Sequence, residues 1–155
     1  MNKIIKEELT FTAMMVFGMV LIMLSYNSIL AAGFTAQALH IIAIAFVPTY
    51  ILAFAVEQFV VSHNVHKIHK IIVSSTDHQF KHVVVFALLF VTFMAGIMSL
   101  YGTLISTGTE NAFWYHYGMN FVRNWPVALV AQLAVVGPLV RIIHMTIFAK
   151  SKLVR

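Results

Sequence analysis

Four long apolar stretches, over roughly 11–32, 41–61, 83–106 and 124–148, take up most of this chain. Stretches of about 20 apolar residues match the length needed to cross a hydrocarbon core about 30 Å thick. A soluble domain covers its surface with charge, on the order of 25% of its residues. Here only 10% are charged and 61% are hydrophobic, with a mean hydropathy of +0.90. No stretch is left for a separate soluble domain. The core expected is helix against helix inside lipid.

Lys3 and Lys6 precede the first apolar run, as in a secretory signal. The run from Phe11 to Ala32 is too long for a cleaved segment, and Glu7 and Glu8 intervene, so it reads as a retained span. With no cysteine, disulfide and thiolate chemistry are excluded. The net charge of +5 is not a nucleic-acid signal, because the basic residues cluster at span ends.

Those basic residues set an orientation. All of the ten except Arg123 fall on one side: Lys3, Lys6, Lys67, Lys70, Lys81, Arg141, Lys150, Lys152 and Arg155. The positive-inside rule places that side in the cytoplasm, with both termini and the 62–82 loop. Arg123 and Glu110 are left on the outer side, and the loops near 33–40 and 107–123 face out. Trp114, Tyr115 and Tyr117 fit an aromatic belt at the outer interface.

The second pair of spans reads as a degenerate copy of the first. At an offset of 75, Met19 meets Met94, Ile22 meets Ile97, Met23 meets Met98, Tyr26 meets Tyr101 and Ser28 meets Thr103. For the second span an offset of 78 matches Pro48 to Pro126, Ala53 to Ala131 and His66 to His144. Both halves start and end inside, so they are parallel repeats about an axis along the membrane normal. The fold expected is all-α: an integral membrane four-helix bundle of two parallel-repeat hairpins, both termini cytoplasmic. Its parts are a first repeat over 1–66, a His/Lys-rich cytoplasmic connection over 67–82 and a second repeat over 83–155.

Met98-Ser99, Trp125-Pro126 and Gly137-Pro138-Leu139-Val140-Arg141 carry a family resemblance. They resemble a bacterial two-helix membrane family, number 2798 in the domain-of-unknown-function series, here in tandem. The second half, about 83–148, is the more similar. The first half has Phe59-Val60-Val61-Ser62-His63 where the second has its Gly-Pro ending. The resemblance implies a bacterial cytoplasmic-membrane protein and brings no activity or catalytic residue with it.

Within the spans, prolines and polar residues stand out. Pro48, Pro126 and Pro138 bend helices or mark a hinge. Gln132 lies near the bilayer midplane, where an amide bonds a neighbouring helix or contacts a ligand. Glu57 is the only carboxylate inside an apolar span. A lone buried carboxylate needs a partner or a wet vestibule. At the 78-residue offset Arg141 matches His63 near the inner mouth, so a Glu57–Arg141 pair is expected. Together Glu57, Gln132 and Arg141 form a candidate cation or polar axis.

Methionine and histidine supply a second candidate. Met15, Met19 and Met23 share one face of the first span, and Met94 and Met98 repeat the spacing in the third. Thioethers suit Cu(I), and the pairs Met19/Met23 and Met94/Met98 resemble those of high-affinity copper uptake channels. Methionine is also a common packing residue. His63, His66, His69, His78 and His82 crowd the cytoplasmic connection. Imidazole binds Zn, Ni or Cu, while the same segment with Lys67, Lys70 and Lys81 also suits anionic headgroups. His66 and His144, equivalent at the 78-residue offset, could hold haem or a metal between helices.

Two functions follow. One is transport or permeation of a metal or other cation, with a transition metal (Zn, Ni or Cu) as the cofactor or cargo. The other is a structural or regulatory membrane protein acting through helix association with itself or a partner. The partners expected are the lipid bilayer and further copies of the chain, with no nucleic acid. No enzyme is expected, because only Glu57 with His63 or His66 comes near an acid–base pair.

Overall fold

The computed structural model of the protein describes residues 3–72, 78–107 and 112–149, and every regular element among them is helical. In chain order these are α1 (Lys3–Ala32), α2 (Ala36–Val56), a π-helical turn (Glu57–Val61) and α3 (Ser62–Ile72). Then come α4 (Gln79–Thr107), α5 (Phe113–Val130), a second π-helical turn (Ala131–Val136) and α6 (Gly137–Ala149). Counting each π turn with the helices that flank it, four helices are long and apolar enough to cross a membrane: Glu7–Ala32, Ala36–His69, Phe80–Ile105 and Phe113–Ile147. Ile51, Ile105, Val122 and Val130 are exposed on them. Helices apolar on their outer faces suit lipid and not water. The chain is built as a multi-pass membrane protein.

The helices outrun the apolar stretches that mark them. α2 starts at Ala36 and α5 at Phe113, both inside segments expected as loops. The connection expected over 67–82 is helical to Ile72 and again from Gln79. Hydropathy marks the hydrocarbon layer, whereas backbone hydrogen bonding continues into the headgroup layer, where Trp114, Tyr115 and Tyr117 are at home. Between α1 and α2 the chain reverses in three residues. Gly33 takes the left-handed backbone (φ 67°) that ends α1, its N–H bonded to the Ile29 carbonyl at 2.7 Å. Thr35 Oγ1 then accepts from the Ala38 N–H at 3.3 Å and so caps α2.

Packing divides the chain into two compact units, Met1–Phe54 with Ala131–Arg155, and Ala55–Val130. In the first, α1 packs against the second π turn and α6. Val16, Met19, Val20, Val136 and Val140 fill that contact. α2 joins through rings, Phe17 lying edge-on to Phe46 at 5.2 Å and to Tyr50 at 6.0 Å. The Tyr50 hydroxyl donates to the Ala13 carbonyl at 3.3 Å. In the second unit α4 packs against α5, α3 and the first π turn. Val61, Val65, Val91, Met94 and Ala95 are buried there, and Trp125 Nε1 donates to Thr92 Oγ1 at 2.9 Å.

Each unit therefore joins the first helix of one repeat to the C-terminal half of the other repeat's second span. The repeats are interleaved. They also share one register, 75, along their whole length. Val16, Met19, Val20, Ser28, Ala53, Glu57, Val61 and Val65 are all buried, and so are Val91, Met94, Ala95, Thr103, Ala128, Gln132, Val136 and Val140. Tyr50 and Trp125 correspond, each bonding to the first helix of its own repeat. The 78-residue offset for the second spans is thereby corrected. A slip of three residues is close to one helical turn and nearly preserves the buried face, so the prolines could suggest it. At the true register Arg141 corresponds to His66, and His144 to His69.

Candidate functional site

The two π turns hold the two most deeply placed polar side chains of the second and fourth membrane helices. π turns carry one extra residue per turn and recur at functional sites. The sequence supports the second one locally. Pro138 brings no N–H to the helix ladder. Gly137 lets the backbone close on itself, because a Cβ there would lie 2.5 Å from the Gln132 carbonyl oxygen.

Glu57 is the first residue of the first π turn, and Gln132 its counterpart in the second. Glu57 is 5% exposed and Gln132 4% exposed. Glu57 Oε2 is buried without a hydrogen-bond partner, and so is Gln132 Oε1. The Gln132 amide nitrogen reaches a soft acceptor, Met15 Sδ at 3.9 Å. A buried acceptor left without a donor costs about 1–3 kcal/mol. The fold tolerates this at equivalent places in both units, once with an acid and once with an amide.

A polar ladder lies toward the other end of the second unit. Arg123 Nη2 donates to Asn120 Oδ1 at 3.0 Å, and Asn120 Nδ2 to Thr103 Oγ1 at 3.0 Å. Thr103 Oγ1 donates in turn to the Ser99 carbonyl at 2.7 Å. The ladder runs from exposed Arg123 to fully buried Thr103. Ser99 Oγ and Asn124 Oδ1 are buried nearby with no hydrogen-bond partner. Asn120 and Asn124 escape a reading by single residues. Their spacing with Arg123 on one helix face, opposite Ser99 and Thr103 at i, i+4, is the signal that finds them.

The remaining candidates scatter. Arg141 is exposed on α6, in the unit that does not contain Glu57. His63 is exposed on α3 and His78 is exposed ahead of α4, while the His66 side chain lies outside the described residues, as does Glu110. Met19 and Met94 are buried at equivalent positions, and Met23 and Met98 are half-buried. Among the described residues no three His, Asp or Glu side chains gather as a metal site. His69 and His82 do come together, with ring centroids 5.2 Å apart. His69 Nε2 donates to the His82 carbonyl at 3.2 Å, and Phe86 lies edge-on to the His69 ring at 5.9 Å. The first unit repeats this with His144, whose Nε2 donates to the Glu7 carbonyl at 3.1 Å beside Phe11 at 5.4 Å. The symmetric histidines are thus His69 and His144, not His66 and His144.

Comparison with curated proteins and with solved structures gives no match. A family profile matches twice, over residues 5–73 and 79–148, each match covering one membrane repeat. The chain belongs to the family described as domain of unknown function (DUF2798), which it carries as a tandem pair.

Proposed function

We propose that this protein is a proton or small-cation permeation unit of the bacterial cytoplasmic membrane, with Glu57 as the group that takes up the charge. The observation that carries this reading is the buried Glu57 Oε2, which has no hydrogen-bond partner inside a π turn of a membrane-length helix. An acid within a membrane helix is a functional candidate by default. A carboxylate oxygen buried without a donor is satisfied by a proton or a bound cation. The π turn adds a locally loosened backbone at the same residue. No catalytic chemistry is part of the proposal.

The test is flux into vesicles reconstituted with purified protein, followed with a pH-sensitive dye and with K⁺- and Na⁺-sensitive dyes. Glu57→Gln keeps the shape and removes the ionisation. It is expected to lower flux at least about tenfold, as for loss of an essential intramembrane acid, with helix content unchanged. Equal flux in wild type and variant, or none in either, rejects the reading. A structural or regulatory role through helix association would then take its place. The observation favouring that second role is how little of the Ala36–His69 helix is covered, 6% of its most apolar window being buried.

The proposal places both termini and the α3–α4 connection in the cytoplasm, following the distribution of Lys and Arg. The chain has no cysteine, so single cysteines report topology directly. A cysteine at Thr35 or Ala112 is expected to react with an impermeant maleimide from outside intact cells. One at His63 is expected to react only after the membrane is opened. The reverse pattern would invert the topology.

A further inference from the structure

We propose that His69 on α3 and His82 on α4 form a two-imidazole clip for a divalent transition-metal ion. The inference is independent of the permeation reading and lies within a single unit.

Three features of the pair point to a metal. The first is spacing. A metal–nitrogen bond of about 2.0–2.1 Å puts each ring centroid about 3.2 Å from the ion, and a tetrahedral angle then separates two centroids by about 5.2 Å. His69 and His82 stand 5.2 Å apart with their planes inclined at 49°. The second is the tautomer. His69 Nε2 faces a carbonyl oxygen at 3.2 Å, so it donates there, and in the neutral ring Nδ1 is the nitrogen with a lone pair to offer. Metal-binding histidines are oriented in this manner, one ring N–H held by a carbonyl and the other nitrogen free to ligate. The third is support. The Phe86 ring stands edge-on against His69, and both histidines are half-buried. The rings therefore rest against protein while the site stays open to a small ion.

The first unit provides an internal contrast. His144 makes the same bond to a main-chain carbonyl beside an equivalent phenylalanine. Residue 7 there is glutamate, where the second unit has His82. Two imidazoles select Ni(II), Cu(II) or Zn(II), whereas one imidazole beside a carboxylate is a harder donor set. The clip is therefore a property of the second unit. Among the described residues no third donor joins the pair. A bound ion would tie α3 to α4 across the connection between them.

The experiment is calorimetric titration of the full-length protein in detergent with Ni(II), followed by electron paramagnetic resonance of the Cu(II)-loaded protein. One Ni(II) per chain is expected, and the Cu(II) spectrum is expected to show imidazole nitrogen couplings. His69→Gln preserves an N–H donor to the His82 carbonyl and removes the imidazole. It is expected to abolish the stoichiometric site, and so is His82→Gln. His144→Gln and His63→Gln are expected to leave it intact. Each variant is checked by circular dichroism and by elution volume. Binding that survives in either of the first two variants, that is lost equally in His144→Gln, or that is absent from the wild type overturns the clip.

Discussion

Cutting the chain after residue 75 is expected to leave neither half folded on its own and to give a stable protein when both halves are made together. In the interleaved packing, α1 finds its partner in the second π turn and α6, and α4 finds one of its partners in the first π turn and α3. Half 1–75 alone leaves Val16, Met19 and Val20 without the side chains that bury them, and half 76–155 leaves Val91 and Met94 short of Val61 and Val65. Inside lipid this packing is held by close contact and buried hydrogen bonds, not by expulsion of water. The bonds from His144 to the Glu7 carbonyl and from His69 to the His82 carbonyl are each on the order of 1 kcal/mol. Both cross between the repeats. The check is affinity purification with a tag on one half. Co-expressed halves are expected to copurify at equal amounts and to resist trypsin as the intact protein does. Separately expressed halves are expected to be degraded. Two halves each as resistant alone as the intact chain would show that the hairpins fold independently.

The second large effect is expected at Gly137. Alanine there sets a Cβ 2.5 Å from the Gln132 carbonyl oxygen, a main-chain atom that cannot swing aside. The π turn must open or α6 must shift. Overpacking of a tight interior costs about 1–3 kcal/mol, and a clash with backbone belongs at the upper end, near 3 kcal/mol. Gly102 is the control, because nothing lies within 4 Å of a Cβ placed on it. Gly102→Ala is expected to be neutral or to stabilise by about 0.5–1 kcal/mol, through the better helix propensity of alanine. The measurement is the unfolding midpoint in mixed micelles of increasing dodecyl sulfate fraction. Equal midpoints for the two variants would remove the close approach at the second π turn.

Much of the fold was legible because lipid simplifies the problem. A span must be apolar over a fixed length, so four runs of hydrophobic residues announced four membrane helices. Met19 with Met94 and Ser28 with Thr103 announced the duplication. What stayed hidden has a physical reason in each case. The register of the second spans is ambiguous by three residues in the sequence because a helix looks nearly alike after one turn, and Pro48 and Pro126 favour the offset of 78. That ambiguity hid the equivalence of Glu57 with Gln132 and of His69 with His144. The π turns left almost no mark, since only the Gly137-Pro138 pair bears on them and the first turn has no such pair. The meeting of His69 with His82 depends on how α3 lies against α4, which hydropathy does not encode.

The interleaving of the repeats also bears on how such a protein could have come to hold Glu57 and Gln132 in matching places. Two identical two-helix chains, exchanging their second-span ends in the same way, would have to carry the same residue at both π turns. An acid would appear twice or not at all. Fusing the copies into one polypeptide lifts that identity, and mutation can then act on one position while its twin is kept. An acid in one turn and an amide in the other is an arrangement that a pair of identical chains cannot hold.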